Sequence, residues 1–352
     1  MYRGKFQEQK RPKKHRLSRG LRILIWTLAV VLMLAGTAFA YVNITLNKIN
    51  RGAAGGDTTL SFWDAVGDPS LLTEYANSEE EIAAIQSQFD PDSGLLQTEG
   101  CENILLVGSD TRGDDIGRSD TMVLATINYD TGNIHLTSFA RTTYVCIPME
   151  DGNVWHALNA SYAWGGIDLL VDTIELNFKV DIDNYAIIDF EAFETAIDTL
   201  GGIDLELTQA EADYINDESG ASLTAGANHL TGEQALWYAR CRKIDNDFVR
   251  TSRQRIVIEE LIRTAFEAPV GDLYRLTNRI LPLVTTDLTN QQILSHALQF
   301  ASMGEFQVDQ LMIPIENMDG QSFTGIMYVD GLELYGYDVN DNLTALEEFL
   351  AS

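Results

Sequence analysis

Cysteine, proline and histidine are scarce in this 352-residue chain, which holds 3 Cys, 7 Pro and 5 His. Three cysteines are too few for a disulfide scaffold, and Cys101, Cys146 and Cys241 show no C-x-x-C spacing. Cys101 and Cys146, at the ends of two expected strands, are the candidate pair. The histidines form neither an HExxH pattern nor a cluster, so no zinc centre is expected. Positive charge is the other shortage. The chain has 24 Lys and Arg against 52 Asp and Glu, a net charge of -28, and so acidic a protein repels nucleic acid unless its basic residues are gathered locally. With 45% hydrophobic residues there is apolar material for one large or two modest domains, which excludes wholesale disorder and collagen-like structure.

The basic residues are gathered. Nine of them lie in residues 1–22, against Glu8 alone, and the next twenty residues, 23–42, carry no charge. Twenty residues at about 1.5 Å rise match a hydrocarbon core of about 30 Å. The pattern therefore predicts a cytoplasmic basic head (1–22), a transmembrane helix (23–42) and everything beyond on the outer side of the cell membrane, since Lys and Arg flank the cytoplasmic end of a span. Ala38-Phe39-Ala40 also fits a signal-peptide cleavage site, but the long head and the length of the run favour retention. Residues 43–99 read as an extracellular stalk, mobile or loosely packed, with an acidic helical piece over 70–89.

From Gly100 onward the texture alternates between strand and helix. Residues 103–107 form a continuous apolar run, as in a strand buried on both faces. Strands are expected over 121–128 and 134–139, joined by a tight turn, and again over 185–188, 203–207, 310–314 and 325–330. Helices are expected over 169–178, 190–200, 248–266, 273–283, 291–301 and 340–350, with one more opening at Thr231, where Gln234 three residues on completes a capping-box pattern. The reading is α/β: a single domain over 100–352 with a mixed central sheet flanked by helices on both faces, preceded by the one membrane helix.

Beyond the head, 15 basic residues face 51 acidic ones. Most of the 15 are concentrated: Arg112 and Arg118, Arg141, and Arg240, Arg242, Lys243, Arg250, Arg253 and Arg255. On a helix, Asp247, Arg250 and Gln254 share a face with Arg253 beside them, and such a surface aims planar donor forks at phosphate oxygens. A solvated salt-bridge face is the commoner fate of a charge run; the bias toward arginine argues against it. Asp110 follows one strand end and Asp120 precedes the next strand, positions where open α/β sheets bind ligands. Two carboxylates there suit Mg²⁺, which takes one or two and completes its shell with phosphate oxygens and water. The set points to chemistry on a phosphate or pyrophosphate.

Several motifs then occur in order: Asn103-Ile-Leu-Leu-Val-Gly-Ser-Asp-Thr-Arg112, Arg118-Ser-Asp-Thr-Met122, Leu158-Asn159 with Tyr162-Ala-Trp-Gly-Gly166, Asp198-Thr-Leu-Gly-Gly202, and Leu230-Thr-Gly-Glu-Gln-Ala-Leu-Trp-Tyr-Ala-Arg-Cys-Arg242 followed by Asp247-Phe-Val-Arg250 and Arg253-Gln-Arg255. Together they resemble the LytR-CpsA-Psr family over residues 100–265. The resemblance implies a phosphotransferase on the outer membrane face of Gram-positive-type bacteria. It moves a glycopolymer (teichoic acid, capsule or another secondary wall polymer) from a polyprenyl-pyrophosphate lipid to a peptidoglycan sugar hydroxyl. By the same resemblance Asp110 and Asp120 are the metal-binding or acid-base carboxylates, with Mg²⁺ as cofactor. Arg118, Arg141, Arg240 and Arg242 form the pyrophosphate clamp, joined by Arg250, Arg253 and Gln254, and Asp247 belongs to the terminal polar cluster. Partners are then the lipid-linked polymer, peptidoglycan and membrane lipid, with no nucleic acid.

Apolar residues near these arginines (Leu169, Leu170, Ile174, Phe193, Ile197, Ile258, Leu261 and Ile262) either line a tunnel for the prenyl chain or form ordinary core. The sequence also departs from the family pattern. Ala140-Arg141-Thr142-Thr143 stands for Pro-Arg-Asp-Thr, and Ala157-Leu158-Asn159-Ala160-Ser161 for Lys-Leu-Asn-His-Ala. These losses leave room for a non-catalytic wall-polymer or lipid binder, or transcription attenuator, and a plain pyrophosphatase differs from the transferase only in taking water as the acceptor.

Overall fold

A computed structural model of the chain describes residues 46–49, 77–96, 98, 100–109, 119–245, 247–303, 305–315 and 324–352. The chain divides into two units, Met1–Asn47 and Lys48–Ser352, and the elements below all belong to the second. The basic head, the span 23–42 and most of the stalk lie outside the described residues. Among the described residues no helix is long and apolar enough to cross a membrane.

The elements run α1 (Glu79–Gln88), β1 (Cys101–Ser109), β2 (Ser119–Asn128), β3 (Asn133–Phe139), β4 (Tyr144–Ile147), β5 (Val154–Ala157), α2 (Leu158–Phe178), β6 (Asn184–Ile188), α3 (Phe190–Leu200), β7 (Ile203–Leu207), α4 (Gln209–Ser219), β8 (Gly226–Leu230), α5 (Gly232–Arg240) and α6 (Asp247–Glu267). Then follow α7 (Val270–Ile280), β9 (Val284–Thr286), α8 (Asn290–Ser302), β10 (Gln307–Ile313), β11 (Thr324–Val329), β12 (Leu332–Tyr337) and α9 (Val339–Leu350). Six strands form one sheet in the order β10-β3-β2-β1-β6-β9. It is mixed: β1 pairs antiparallel with β2 and parallel with β6, and β10 runs parallel to β3.

The apolar runs explain why this sheet is covered twice. Leu105, Val107, Met122 and Leu124 belong to one buried cluster with Leu170 and Ile174 of α2, whereas Val123, Ala125, Ile134 and Leu136 belong to another with Ile258 and Ile262 of α6 and Phe300 of α8. Alternate residues of each strand thus feed opposite layers. Burying each such aliphatic side chain stabilises by about 1.5–3 kcal/mol. A third cluster joins Ile197, Ile203, Leu205, Ile215, Leu230 and Val257, around the antiparallel β7–β8 pair and α3 to α6.

Two expectations need correction. The acidic piece before the domain is not loosely attached: α1 buries Ile85 at 1% exposure in the main cluster, and Gln86 Nε2 donates to Tyr144 Oη at 3.1 Å. Gln88 clasps α9, donating to Asp338 Oδ2 at 3.0 Å and accepting from the Val339 N–H at 2.7 Å. The second concerns α2, which begins at Leu158 rather than 169. Gly166 breaks its regularity with φ 66° and ψ -153°, a conformation costly for any residue with a Cβ, so the helical spacing becomes visible only beyond it.

Candidate active site

The site is built on the end of the sheet where β2 begins and β3 ends. β1 and β2 pair Gly108 with Thr121 and then Ser109 with Ser119, so Asp120 is an extra residue, a bulge in the ladder. Strict alternation would send Asp120 to the face of Met122 and Leu124, under α2. Its partners come instead from the end of β3 and from the segments around α6, which covers the opposite face.

Arg141, two residues beyond β3, donates from Nη1 to Asp120 Oδ1 at 2.7 Å, and Arg242, just past α5, brings Nη2 to 3.4 Å from the same oxygen. Arg250, buried in the first turn of α6, adds its charge. Burial by itself would raise the Asp120 pKa, but the charges of Arg141, Arg242 and Arg250, with the Arg141 hydrogen bond, hold it below the usual carboxylate value. Gln254, one turn along α6 from Arg250, is buried, and its Oε1 has no hydrogen-bond partner among the described residues. Backbone bonds fix Arg141 itself: the Asn159 N–H donates to the Arg141 carbonyl at 2.9 Å and the Leu158 N–H to that of Thr143 at 2.9 Å. The two stretches that depart from the family pattern are therefore laid against each other.

The remaining candidates go elsewhere. Arg253, expected at the pyrophosphate, has a side chain that is 3% exposed and engaged internally. Nε donates to Glu211 Oε1 at 2.7 Å and Nη1 to Cys241 O and Asp245 Oδ1 at 3.1 Å each; Nη2 donates to Asp245 Oδ2, and the guanidinium lies over Tyr238. Burial opposes its charge, but Asp245 and Glu211 more than restore it, pushing the pKa up. Glu211, which burial alone would raise, is held below its usual value by the same contact. Arg240 is exposed and rests over the rings of Phe190 (4.5 Å) and Trp237 (5.5 Å). Asp247 opens α6. Asp110, Arg112 and Arg118 lie outside the described residues.

The proposed tunnel residues divide among three separate clusters, Leu169, Leu170 and Ile174 in one, Phe193, Ile197 and Leu261 in a second, Ile258 and Ile262 in a third, which is the behaviour of core. A cavity of ≈ 230 Å³ opens at the far end of β1 to β3, beside Asn128 and His135. Cys101, Cys146 and Cys241 are free thiols, so the candidate disulfide is not formed. One contact passed over in the sequence is Tyr162, whose hydroxyl pKa burial raises while a hydrogen bond to Ser109, next to Asp110, draws it back.

A model of the LytR_cpsA_psr family matches residues 70–344. The chain belongs to this family. The polyisoprenyl-teichoic acid–peptidoglycan teichoic acid transferase TagU of Bacillus cereus (strain AH820) is 38% identical over 255 residues, 69% of this chain and 71% of the relative. The protein of that name from Bacillus anthracis (strain CDC 684 / NRRL 3495) is 34% identical over 283 residues, 77% of this chain and 81% of the relative. The solved structure of TagT bound to LIIa-WTA shares the LytR_cpsA_psr fold with a TM-score of 0.58 at 24% identity, over 74% of this chain and 91% of that one. The matched segment begins at residue 70, in keeping with the packing of α1 onto the domain.

Proposed function

We propose that this chain is a phosphotransferase that moves a glycopolymer of the teichoic acid class from a polyprenyl-pyrophosphate lipid to a peptidoglycan sugar hydroxyl. Family membership and relatives named as teichoic acid transferases support the reaction class. The observation that carries it to these residues is the Asp120 carboxylate, met by the guanidinium groups of Arg141 and Arg242 and by the charge of Arg250 at the end of the sheet. Phosphoryl transfer needs charge neutralisation and in-line positioning more than a protein nucleophile. Arg141 and Arg242, with Arg250 behind them, would neutralise the non-bridging oxygens of the diphosphate, and Asp120 fixes the direction of their donors.

Mg²⁺ fits this donor set. Asp120 gives Oδ1 to both arginines, which among the described residues leaves Oδ2 as one hard oxygen, and an ion that takes one or two carboxylates together with substrate phosphates asks no more of the described part of the site. Asp120, with Asp110 beside it in the family pattern, would hold the ion, which when bound supplies further neutralisation of phosphate charge. The proposal also places residues 1–22 in the cytoplasm, 23–42 across the membrane and the domain outside, within reach of a lipid-borne donor and the wall.

The test is a transfer assay on the full chain in detergent with Mg²⁺, a polyprenyl-pyrophosphate-linked polymer and peptidoglycan fragments. Wild type should release polyprenyl phosphate, and Asp120→Ala and Arg141→Ala should each lose about 10²–10³-fold in rate, the scale of removing a charge-stabilising donor. If all three proteins bind the lipid and are equally inert, the chain is a binder. Release without an acceptor, at the full rate, would make it a pyrophosphatase.

A further inference from the structure

Gly108 lies one pair away from the bulge. A Cβ built on it would stand 2.9 Å from Thr121 Cβ and 3.1 Å from Thr121 Oγ1. The nearer atom is the root of a side chain and cannot swing aside, so relief would require β1 and β2 to separate or slip at that pair. Thr121 is the residue next to Asp120, and the ladder loses its register between Gly108 and Ser109. The closeness of Gly108 to Thr121 and the extra residue at Asp120 are therefore parts of one piece of geometry. Bulges re-aim side chains, and here the side chain re-aimed is the carboxylate that Arg141 and Arg242 share.

From this juxtaposition we propose that Gly108 is a positioning residue: its missing side chain lets Thr121 close onto β1, and that closure holds the bulge which turns Asp120 toward Arg141. The inference rests on the transferase reading for its kinetic consequence, but the aim of Asp120 can be read separately. Leu106, in the same strand, carries a side chain without such a clash, which marks position 108 as the place where the strand gives up its side chain to the bulge.

The test is a set of substitutions in the full chain. Gly108→Ala should lower kcat for transfer by about 10–100-fold, the scale of a displacement near 1 Å, with KM for the lipid-linked donor little changed. Thr121→Gly in that background removes the opposing Cβ and should restore most of the rate. Thr121→Ser keeps that Cβ and should not. Independently of activity, a thermal-unfolding cycle of Gly108→Ala and Asp120→Asn should be non-additive, because a displaced Asp120 has less pairing left to lose. Unchanged kcat in Gly108→Ala, equal rescue by Ser and Gly, or an additive cycle would overturn the inference. Should Gly108→Ala not fold, the Gly108→Ala/Thr121→Gly protein decides: folding with wild-type kcat supports the proposal, and folding with kcat still depressed contradicts it. An inert wild type with a non-additive cycle would sink the transferase reading and leave the positioning intact.

Discussion

Arg250 and Arg253 sit three residues apart on one helix and serve different neighbourhoods, Arg250 acting on Asp120 and Arg253 pairing with Glu211 and Asp245. Arg253 takes two carboxylates, Glu211 and Asp245, plus a backbone carbonyl and an aromatic face. Around Asp120, among the described residues, one carboxylate meets both Arg141 and Arg242 and feels the charge of Arg250. An arginine buried between dedicated acids holds the fold together, whereas arginines brought from separate segments to a strand end form a surface that suits an anion. Arg255, two positions further, is a third case: buried, with the neutral Gln310 Oε1 (3.1 Å) and Met312 Sδ (3.5 Å) as its partners among the described residues. Burial pushes its pKa down to about 10. The motif Arg253-Gln-Arg255 thus combines an ion-paired arginine, a buried amide and an arginine bonded to neutral groups among the described residues.

Substitutions can break this comparison. The largest stability effect is expected at Arg253→Met, which strands Glu211 and Asp245 and should cost about 3–5 kcal/mol in a denaturant titration, while the rate per folded molecule stays close to wild type. A smaller effect is expected from acid. The folded pKa of Asp120 lies below its ordinary value, so its contribution to stability is complete above about pH 4 and disappears as pH falls through the folded value. The melting temperatures of wild type and Asp120→Asn should differ near neutrality and converge at lower pH. Arg255→Met should do least, changing stability by about 1 kcal/mol or raising it, because a buried cation with no acid among the described residues is replaced by apolar volume. Since the folded pKa of Arg255 is lowered, wild type should gain on this variant as pH rises through about 10.

The strands of the central sheet were legible because both faces are buried, giving 103–107 and 121–128 their continuous apolar texture. The capping box at Thr231 and Gln234 likewise acts locally and appears as expected, and the helix expected over 190–200 ends on the left-handed Gly201. Less visible was α4, whose polar surface hides its period, although Thr208 and Glu211 form the same capping box. Short β4, β5 and β9 gain their stability from pairing partners rather than from pattern. In the site, the family resemblance assigns Arg141 and Arg242 to the pyrophosphate and Asp120 to the carboxylates, and the structure brings these three side chains together. The pairing of Arg253 could not be expected, because Glu211 lies 42 positions away and is brought in by the packing of α4 and α5. The bulge at Asp120 is a property of register, which no composition or spacing reports.

The claim that Asp120 and its arginines, rather than the Arg253 cluster, receive the diphosphate is tested most directly by calorimetric titration of the full chain with inorganic pyrophosphate and Mg²⁺. Wild type and Arg253→Met should bind alike, and Arg141→Ala should lose at least tenfold in affinity, about 1.4 kcal/mol. Loss of binding in folded Arg253→Met with binding retained in Arg141→Ala would contradict it.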